Sequence, residues 1–435
     1  MLVRYSFCGI SAYQHVGSVF SFSFALRIIH EPWARWQFDI VEQEARLRAN
    51  GFWERGAELR RISYQGALLH RKVTLELVRG YQEIGGYVVT GEADTPISTS
   101  GMWDDGDQPK FDPAAFHAFN GDLVVLVGWD KRRAWIAGGD RAAYWDTWSY
   151  PAGATVRPHL LASHYGRTSG QARVRWSVGW SDEATPFASG ESATAFTVAA
   201  GSLREVTTAE FVAPAVVAPR EAVLRASVRI GGDMAHNSWP LWVFPHDAWA
   251  MLSGVALSDP TGRFADLGRI APGVQEDLEG ARTVIATDWL PNVRQFVAGG
   301  GTAILLPSGP DPRCPITAAP LPFWREAVKI IERHPAWGDF PHAGWVGMQF
   351  LGCAPDHALD TYASGHAPAP ILRRLDARTM RVHDYAVELS WGQGRVIIST
   401  LRFEGGQGDQ PMGISRNVAA AYLLSCWVRY LRKPG

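Results

Sequence analysis

The sequence predicts a multidomain protein that combines a partial (β/α) barrel remnant, an all-β sandwich and a flavodoxin-like α/β domain. Its 435 residues exceed what one hydrophobic core usually supports. Short apolar segments of period two fill the middle of the chain, whereas strand and helix patterns alternate in its last part. We therefore predict three domains, over residues 1–120, 121–245 and 246–435.

The N-terminal part has the order of a β/α unit. Residues 22–29 are apolar and predict a buried strand, and residues 38–50 and 53–78 predict helices because apolar side chains recur every three or four positions. Residues 87–90 predict another short strand, and a long loop over 91–113 follows it. Only about two such units fit here, while a closed barrel needs roughly 200 residues or more. We therefore expect part of a barrel.

The middle part predicts a β-sandwich. Alternating apolar and polar residues form short segments that Gly, Pro and Asp separate, with no long helical pattern between them. The clearest such segments are residues 123–127, 172–178 and 222–228.

The last part predicts a parallel sheet with helices and an antiparallel addition, as in flavodoxin-like domains. Its order is strand, helix, strand, helix, hairpin and final helix. We place these elements at residues 282–288, 289–298, 302–306, 323–334, 385–401 and 418–432.

Composition excludes several classes of function. The net charge of −1 gives no electrostatic basis for binding nucleic acid or an anionic membrane, and no apolar run approaches a membrane span. Residues 20–29 are apolar, but polar residues precede them and no cleavage site follows, so we predict no signal peptide. Four widely separated cysteines indicate reduced thiols and a cytoplasmic location.

No motif indicates a metal or a cofactor, and we predict neither. His159 and His164 are the nearest approach to a metal pair, but a spacing of five places them on no shared face of a helix or strand. Residues 138–141 lack the helix that a dinucleotide-binding loop requires.

Three segments form an ordered set: residues 86–101 (GYVVTGEADTPISTSG), residues 237–245 (NSWPLWVFP) and residues 385–406, with the Gly-Gln-Gly-Arg of 392–395. Together they resemble glycoside hydrolases of the family 2-like group, which includes β-galactosidase- and β-glucuronidase-related proteins. The first segment resembles the last barrel strand and its loop, the second the end of a sandwich domain, and the third a C-terminal amidotransferase-like domain. The resemblance spans residues 25–435 and implies a glycosidase that acts on a carbohydrate. It departs from the family because the sequence contains no Asn-Glu pair, which normally carries the general acid.

The resemblance implies a retaining mechanism, which needs two carboxyl groups about 5–5.5 Å apart. Glu31 directly follows a predicted strand and corresponds to the nucleophile, while Glu92 or Asp94 after the next strand would be the acid/base. The alternatives are structural: Glu31 before Pro32 suits a helix N-terminus, and Asp94 suits a turn.

Aromatic and acidic residues near these carboxylates are the predicted substrate-binding residues. Trp33, Trp103, Asp104 and Asp105 could stack on a sugar ring and hydrogen-bond its hydroxyl groups. The chain has 19 tryptophans, and most are equally explained as bulky core residues.

Two other interpretations remain open. Cys314 and Cys353 could be amidotransferase nucleophiles, but neither has the Gly-x-Cys-x-Gly frame, so we expect a structural role. An open barrel would expose strand edges and apolar helix faces. The chain could then be a non-catalytic carbohydrate-binding or scaffolding fragment, paired with another copy or a separately encoded N-terminal half, or a truncated product without independent function.

Overall fold

The computed structural model describes residues 40–89, 91–94, 100–104, 106–130, 133–136, 139–142, 145–324, 327–377, 379–406 and 412–433. Over these residues the chain is a mixed α/β protein with several separate sheets. The strand predicted over 22–29 lies outside the described residues, and the division into three domains stays a prediction.

Two helices open the described chain, α1 (Ile40–Ala49) and the long α2 (Gly56–Arg79), as the apolar spacing predicts. A third helix, α3 (Pro113–Asn120), begins where Asp112 accepts a hydrogen bond from the Ala114 amide at 2.9 Å. The strand predicted over 87–90 is wrong in its described part, because residues 87–89 have no regular structure. Their β-branched residues favour a strand only where a partner strand pairs with them.

The middle of the chain forms two sheets that face each other across a shared apolar core. One sheet pairs β1 (Leu123–Gly128) with β6 (His159–His164) and β6 with β9 (Ser202–Thr208). The other has the order β4 (Ser149–Pro151), β12 (Asp233–Phe244), β11 (Arg220–Ile230), β7 (Gly170–Trp180) and β8 (Ala188–Val198). Smaller pairs are β2 (Arg133–Ile136) with β3 (Gly139–Ala142) and β5 (Thr155–Val156) with β10 (Phe211–Val212).

The predicted strands of this region therefore form. Along β11, Ala222, Leu224, Ala226 and Val228 alternate with more exposed residues and bury one face of the strand. Because side chains of a strand alternate between faces, this pattern fixes which residues enter the core.

The last part forms one large mixed sheet. Four strands run parallel, β13 (Ala256–Ser258), β14 (Thr283–Ala286), β15 (Thr302–Leu305) and β21 (Gly394–Ser399). An antiparallel group continues it, formed by β20 (Val382–Trp391), β19 (Ala369–Asp376), β18 (His357–Leu359), β17 (Ala327–Ile331) and β16 (Ala318–Pro320). The helices of this part are α4 (Leu267–Ile270), α5 (Pro291–Ala298) and α6 (Val418–Leu431). The predicted strands over 282–288 and 302–306, the hairpin and the final helix are confirmed.

The helix predicted over 323–334 is wrong, because this segment contains strand β17. All five residues of β17 are buried, and the strand pairs with β19. Apolar residues recur through 323–334 at three- and four-residue spacing, which favours a helix. Pairing with β19 buries both faces of the strand, Lys329 included, so contacts distant in sequence override the local pattern.

Helix α2 contacts both the middle part and the last part of the chain. At its start, Leu59 and Ile62 share an apolar cluster with Val328 and Ile330 of β17. Near its end, Glu76 accepts a hydrogen bond from the Trp239 indole of β12 at 2.9 Å. The helix thereby positions the loop that follows it.

Replacing Gly394 should destabilise the protein, because a Cβ there would lie 2.1 Å from the carbonyl oxygen of Gly301 and 2.3 Å from that of Val297. We expect Gly394→Ala to lower the free energy of unfolding by about 1–3 kcal/mol through overpacking. The matched control is Gly66→Ala in α2, where a Cβ would meet no atom within 4 Å. The control should gain about 0.5–1 kcal/mol in urea denaturation. Equal effects of the two substitutions would contradict the packing described here.

Lys329 of β17 should make stability depend on pH. Its pKa falls from 10.5 to about 7, first because burial disfavours the ammonium and second because Arg374 lies nearby. Between those values the unfolded chain binds more protons than the folded chain, so the free energy of unfolding rises with pH across this window. Lys329→Met should therefore raise stability at neutral pH and flatten this rise, as measured by denaturation at about pH 7 and about pH 10. An unchanged slope would show that this lysine carries no such penalty.

Candidate functional site

Two described segments of the loop over residues 91–104, 91–94 and 100–104, carry four of the predicted site residues and lie against each other. The amides of Met102 and Trp103 donate to the Glu92 carbonyl at 2.8 and 3.0 Å, and the Asp94 amide donates to the Trp103 carbonyl at 3.0 Å. Residues 92–94 and 102–104 therefore run side by side, and Trp103 pairs with Ala93, the residue next to Glu92. We call this segment the 91–104 loop.

Gly101 permits this close approach. A Cβ at this position would lie 2.4 Å from the carbonyl carbon of Ala93 and 2.5 Å from the amide nitrogen of Asp94. Glycine is the residue that lets two backbone segments approach so closely.

A buried ion pair holds the loop in place. Asp94 Oδ1 lies 2.6 Å from Lys110 Nζ, and the two side chains are 0% and 1% exposed. The same carboxylate oxygen accepts a hydrogen bond from the Gly101 amide at 3.0 Å, and the Lys110 amide donates to the Met102 carbonyl at 3.0 Å. Burial lowers the pKa of Lys110, although Asp94 opposes that shift. Asp94 has the geometry of a residue that holds the loop together.

Part of the loop is exposed to solvent. Glu92 is exposed and the Trp103 indole is 39% exposed. Asp104 Oδ1 accepts hydrogen bonds from the Gly106 and Gln108 amides at 2.8 and 3.0 Å, which holds the next turn. The loop therefore exposes one aromatic ring and one carboxylate to solvent.

The other predicted site residues, Glu31, Trp33 and Asp105, lie outside the described residues. The catalytic and substrate-binding assignments therefore all stay predictions.

Helix α2 supports the loop from the side. Arg71 donates a hydrogen bond to the Ser100 carbonyl and lies 5.7 Å from the Phe111 ring centroid. The next residue, Lys72, turns toward the sheets and bonds Glu76 and Asn237. Since consecutive helical residues point about 100° apart, the loop and the sheets occupy adjoining sides of α2.

The two cysteines considered as nucleophiles are buried. Burial raises the pKa of the Cys314 thiol to about 12 and raises that of Cys353 even further from its usual range. A thiol of raised pKa is protonated at neutral pH and is a poor nucleophile, so both geometries favour a structural role.

The described residues also contain no cluster of three or more His, Cys, Asp or Glu side chains that could hold a metal. His159 bonds Asp130 and Glu205, whereas His164 bonds the Thr168 carbonyl. Among the helices described, none is both long and apolar enough to cross a membrane.

Two concave regions lie between the helices and the sheets, and the sequence interpretation missed both. The larger, of about 710 Å³, is open to solvent; we call it the Trp176 groove. Its lining includes Leu68, Lys72, Ala118, Phe119, Trp176 and Asn237. The smaller, of about 310 Å³, lies farther along α2 and is lined by Trp129, Trp148 and Trp239 beside Glu76.

The local sequence gives no signal for the Trp176 groove. Trp176 stands in a segment of strict alternation, where its neighbours at two-residue spacing, Val174 and Val178, are core residues. A large aromatic residue in such a row predicts core packing. A groove would be indicated only by the small residues that pair with Trp176 on the neighbouring strands, and the local sequence does not show that pairing.

A family model matches residues 154–245, and it is described as a domain of unknown function, DUF8488. This match covers less than a quarter of the chain. No curated protein matches the sequence.

Among solved structures, the similar chains include several glycoside hydrolases. A β-D-mannosidase from Dictyoglomus thermophilum is 11% identical, with a TM-score of 0.29, over 44% of this chain and 20% of that enzyme. A Bacteroides uniformis β-glucuronidase is 9% identical, with a TM-score of 0.19, over 43% of this chain and 23% of that enzyme. A family 123 glycoside hydrolase from Clostridium perfringens is 9% identical, with a TM-score of 0.17, over 42% of this chain and 38% of that enzyme.

The chain thus spans about a fifth of the length of the mannosidase and the glucuronidase that it matches. TM-scores of this size do not establish a shared fold, and the activities of those enzymes belong to them alone.

Breaking the ion pair under the loop should be costly. Lys110→Met removes the ammonium from a carboxylate that is fully buried, and we expect a loss of about 3–5 kcal/mol in the free energy of unfolding. The double variant Asp94→Asn with Lys110→Met removes both charges of the pair and should recover part of that loss, although Arg71 then loses the nearby carboxylate. Chemical denaturation of both variants checks this, and a double variant as unstable as the single one would argue against the ion pair.

Proposed function

We propose that this chain is a glycoside hydrolase-related protein that binds a carbohydrate on the 91–104 loop. The observation that carries the proposal is the exposed indole of Trp103, which stands on the same loop as the exposed carboxylate of Glu92. Sugar rings have an apolar face that packs on aromatic side chains and hydroxyl groups that donate to carboxylates. The ordered sequence resemblance to family 2-like glycoside hydrolases supports the same ligand class.

If the chain is an active hydrolase, we assign a retaining mechanism with Glu31 as nucleophile and Glu92 as acid/base. Exposure favours Glu92 over Asp94, because a general acid must reach the glycosidic oxygen. Asp94 is buried and paired with Lys110. In this mechanism Glu31 attacks the anomeric carbon while Glu92 protonates the leaving oxygen, and Glu92 then deprotonates the water that releases the sugar.

The second candidate function is non-catalytic carbohydrate binding or scaffolding. It is favoured by the closed geometry of the loop, in which Asp94 and Asp104 serve the backbone and leave Glu92 as the exposed carboxylate among the three. Binding to the Trp103 face requires no second carboxylate, so this function differs from the first in lacking turnover.

The named architecture is part of the proposal. We interpret residues 1–120 as a partial barrel, 121–245 as a β-sandwich and 246–435 as a flavodoxin-like, amidotransferase-like domain. Self-association, pairing with a complementary chain and a cytoplasmic location also remain proposals.

Trp103→Ala should weaken carbohydrate binding about tenfold or more, because the loss of a stacking face costs roughly 1.4 kcal/mol or more. Tyr362→Ala is the matched control, since Tyr362 is 77% exposed and belongs to another part of the chain. Calorimetric titration with a panel of neutral oligosaccharides measures both variants. An equal loss of affinity in both variants would contradict carbohydrate binding at Trp103.

Labelling with mechanism-based glycosidase inactivators separates the two candidate functions. These reagents trap a carboxylate nucleophile as a covalent ester, so peptide mass mapping should find the label on Glu31. Glu31→Gln should prevent labelling, and Glu92→Gln should slow it. A folded chain that binds oligosaccharides but takes no label would be a binding protein without glycosidase activity.

A further inference from the structure

We infer that the Trp176 groove is a second carbohydrate site, which binds a neutral oligosaccharide chain apart from the 91–104 loop. The choice of carbohydrate as ligand class rests on the proposed function, but the site is built from different residues. Its floor comes from the five-stranded sheet defined above, and its walls come from α2 and α3.

The floor of the groove is one row of residues across four strands. Trp176 of β7 pairs with Gly190 of β8 on one side and with Ala226 of β11 on the other, and Ala226 pairs with Asn237 of β12. Side chains of directly opposed residues point to the same face of a sheet, so this row places a large aromatic between two small residues.

Gly190 sets the orientation of the indole. A Cβ at Gly190 would lie 2.7–2.9 Å from three atoms of the Trp176 ring, Nε1, Cε2 and Cζ2. The ring therefore lies against the backbone of β8, and Trp176 remains partly exposed at the groove. An aromatic ring held in this way offers a face to a ligand with little rotational freedom to lose.

Ala226 leaves the space beside the ring empty. Its methyl group is the only side chain between Trp176 and Asn237 in this row. The walls of the groove include Leu68 of α2 and Ala115, Ala118 and Phe119 of α3. The result is a wide channel with apolar walls and one aromatic surface.

The charges in the groove compensate one another. Lys72 pairs with Glu76. Arg175 and Arg225 also line the groove, but they stand next to Trp176 and Ala226 along their strands, so their side chains point to the opposite face of the sheet. The Lys72 ammonium also bonds the Asn237 amide oxygen. An ammonium has three N–H donors, so one remains beyond these two contacts.

These features favour a neutral glycan over other ligands. An anionic ligand would need positive charge that is not already paired, and a purely apolar ligand would leave the Lys72 donor without an acceptor. A sugar ring satisfies both conditions, because its C–H face packs on an indole and its hydroxyl groups accept from an ammonium. The open shape of the groove suits a chain of several sugars.

Chemical footprinting of the unmodified chain tests this site. N-bromosuccinimide oxidises exposed indoles, and peptide mass mapping reports each tryptophan separately. We expect one of cellohexaose, mannohexaose or xylohexaose to slow the oxidation of Trp176 several-fold, whereas hexagalacturonate should not. Trp239, which is 3% exposed, is the internal reference for a fold that stays closed.

Variants then measure the affinity of the protecting hexasaccharide by calorimetric titration. Trp176→Ala should lower the affinity about tenfold or more, and Trp176→Phe should restore most of it. Gly190→Ala should cause a similar loss although the tryptophan is retained, because the new Cβ displaces the ring. Each variant is first compared with the parent in circular dichroism and thermal melting.

Trp103→Ala distinguishes this site from the loop. If the groove is a separate site, this variant keeps the protection of Trp176. Protection of Trp103 without protection of Trp176 would contradict carbohydrate binding in the groove and would still be consistent with the proposed function of the loop. Protection of Trp176 alone would support the groove and overturn the role of the loop. The absence of protection by every hexasaccharide, or protection by hexagalacturonate alone, would overturn the inference.

Discussion

The carboxylate of Glu76 joins helix α2 to both sheets of the middle region. Its Oε2 accepts from the Trp239 indole at 2.9 Å, and its Oε1 accepts from the Asn237 amide at 2.7 Å and from Lys72. Asn237 also donates to the Val125 carbonyl of β1 at 3.0 Å, so the same network reaches the opposite sheet. These donors hold the partly buried carboxylate in a single arrangement. If one hydrogen bond broke, a buried polar atom would be left without a partner from the protein or from water.

The other end of α2 depends on apolar packing together with one ion pair. Leu59 and Ile62 pack with Val328 and Ile330, and Arg55 donates to both carboxylate oxygens of Glu332 at 2.8 and 2.9 Å. The helix is therefore fixed at both ends, by contacts with different parts of the chain. The Trp176 groove and the 91–104 loop share this support, since Lys72 lines one and Arg71 bonds the other.

Local patterns predicted most elements of the chain but not the partners of those elements. The alternation in residues 222–228 specified β11 because one buried face and one exposed face leave a clear period in the sequence. Residues 87–89 and 327–331 show the limit of this approach. The first segment has β-branched residues but no regular structure, and the second is a strand in place of the predicted helix. In both cases, contacts distant in sequence decide the outcome, and no local period reports them.

The same limit explains which site residues the sequence could indicate. Trp103 and Glu92 were accessible to sequence analysis because they stand in the loop that the family resemblance indicates, and their role in a site stays a prediction. The buried pairing of Asp94 with Lys110 was not, since it joins positions 16 residues apart across a loop. Trp176 was not accessible either, because the row with Gly190 and Ala226 depends on the register of three strands.

Trp103 and Trp176 are positioned by different physical means. Trp103 stands on a loop that a buried ion pair and the close approach of Gly101 hold in place. Trp176 lies on a sheet, where the absence of a Cβ at Gly190 lets its ring rest against the neighbouring strand. A ring that rests against neighbouring atoms, as that of Trp176 does, loses little entropy when a sugar stacks on it, so more of the contact energy remains as affinity. Weak stacking and hydrogen bonding to a neutral sugar can then give useful binding without any buried charge in the ligand.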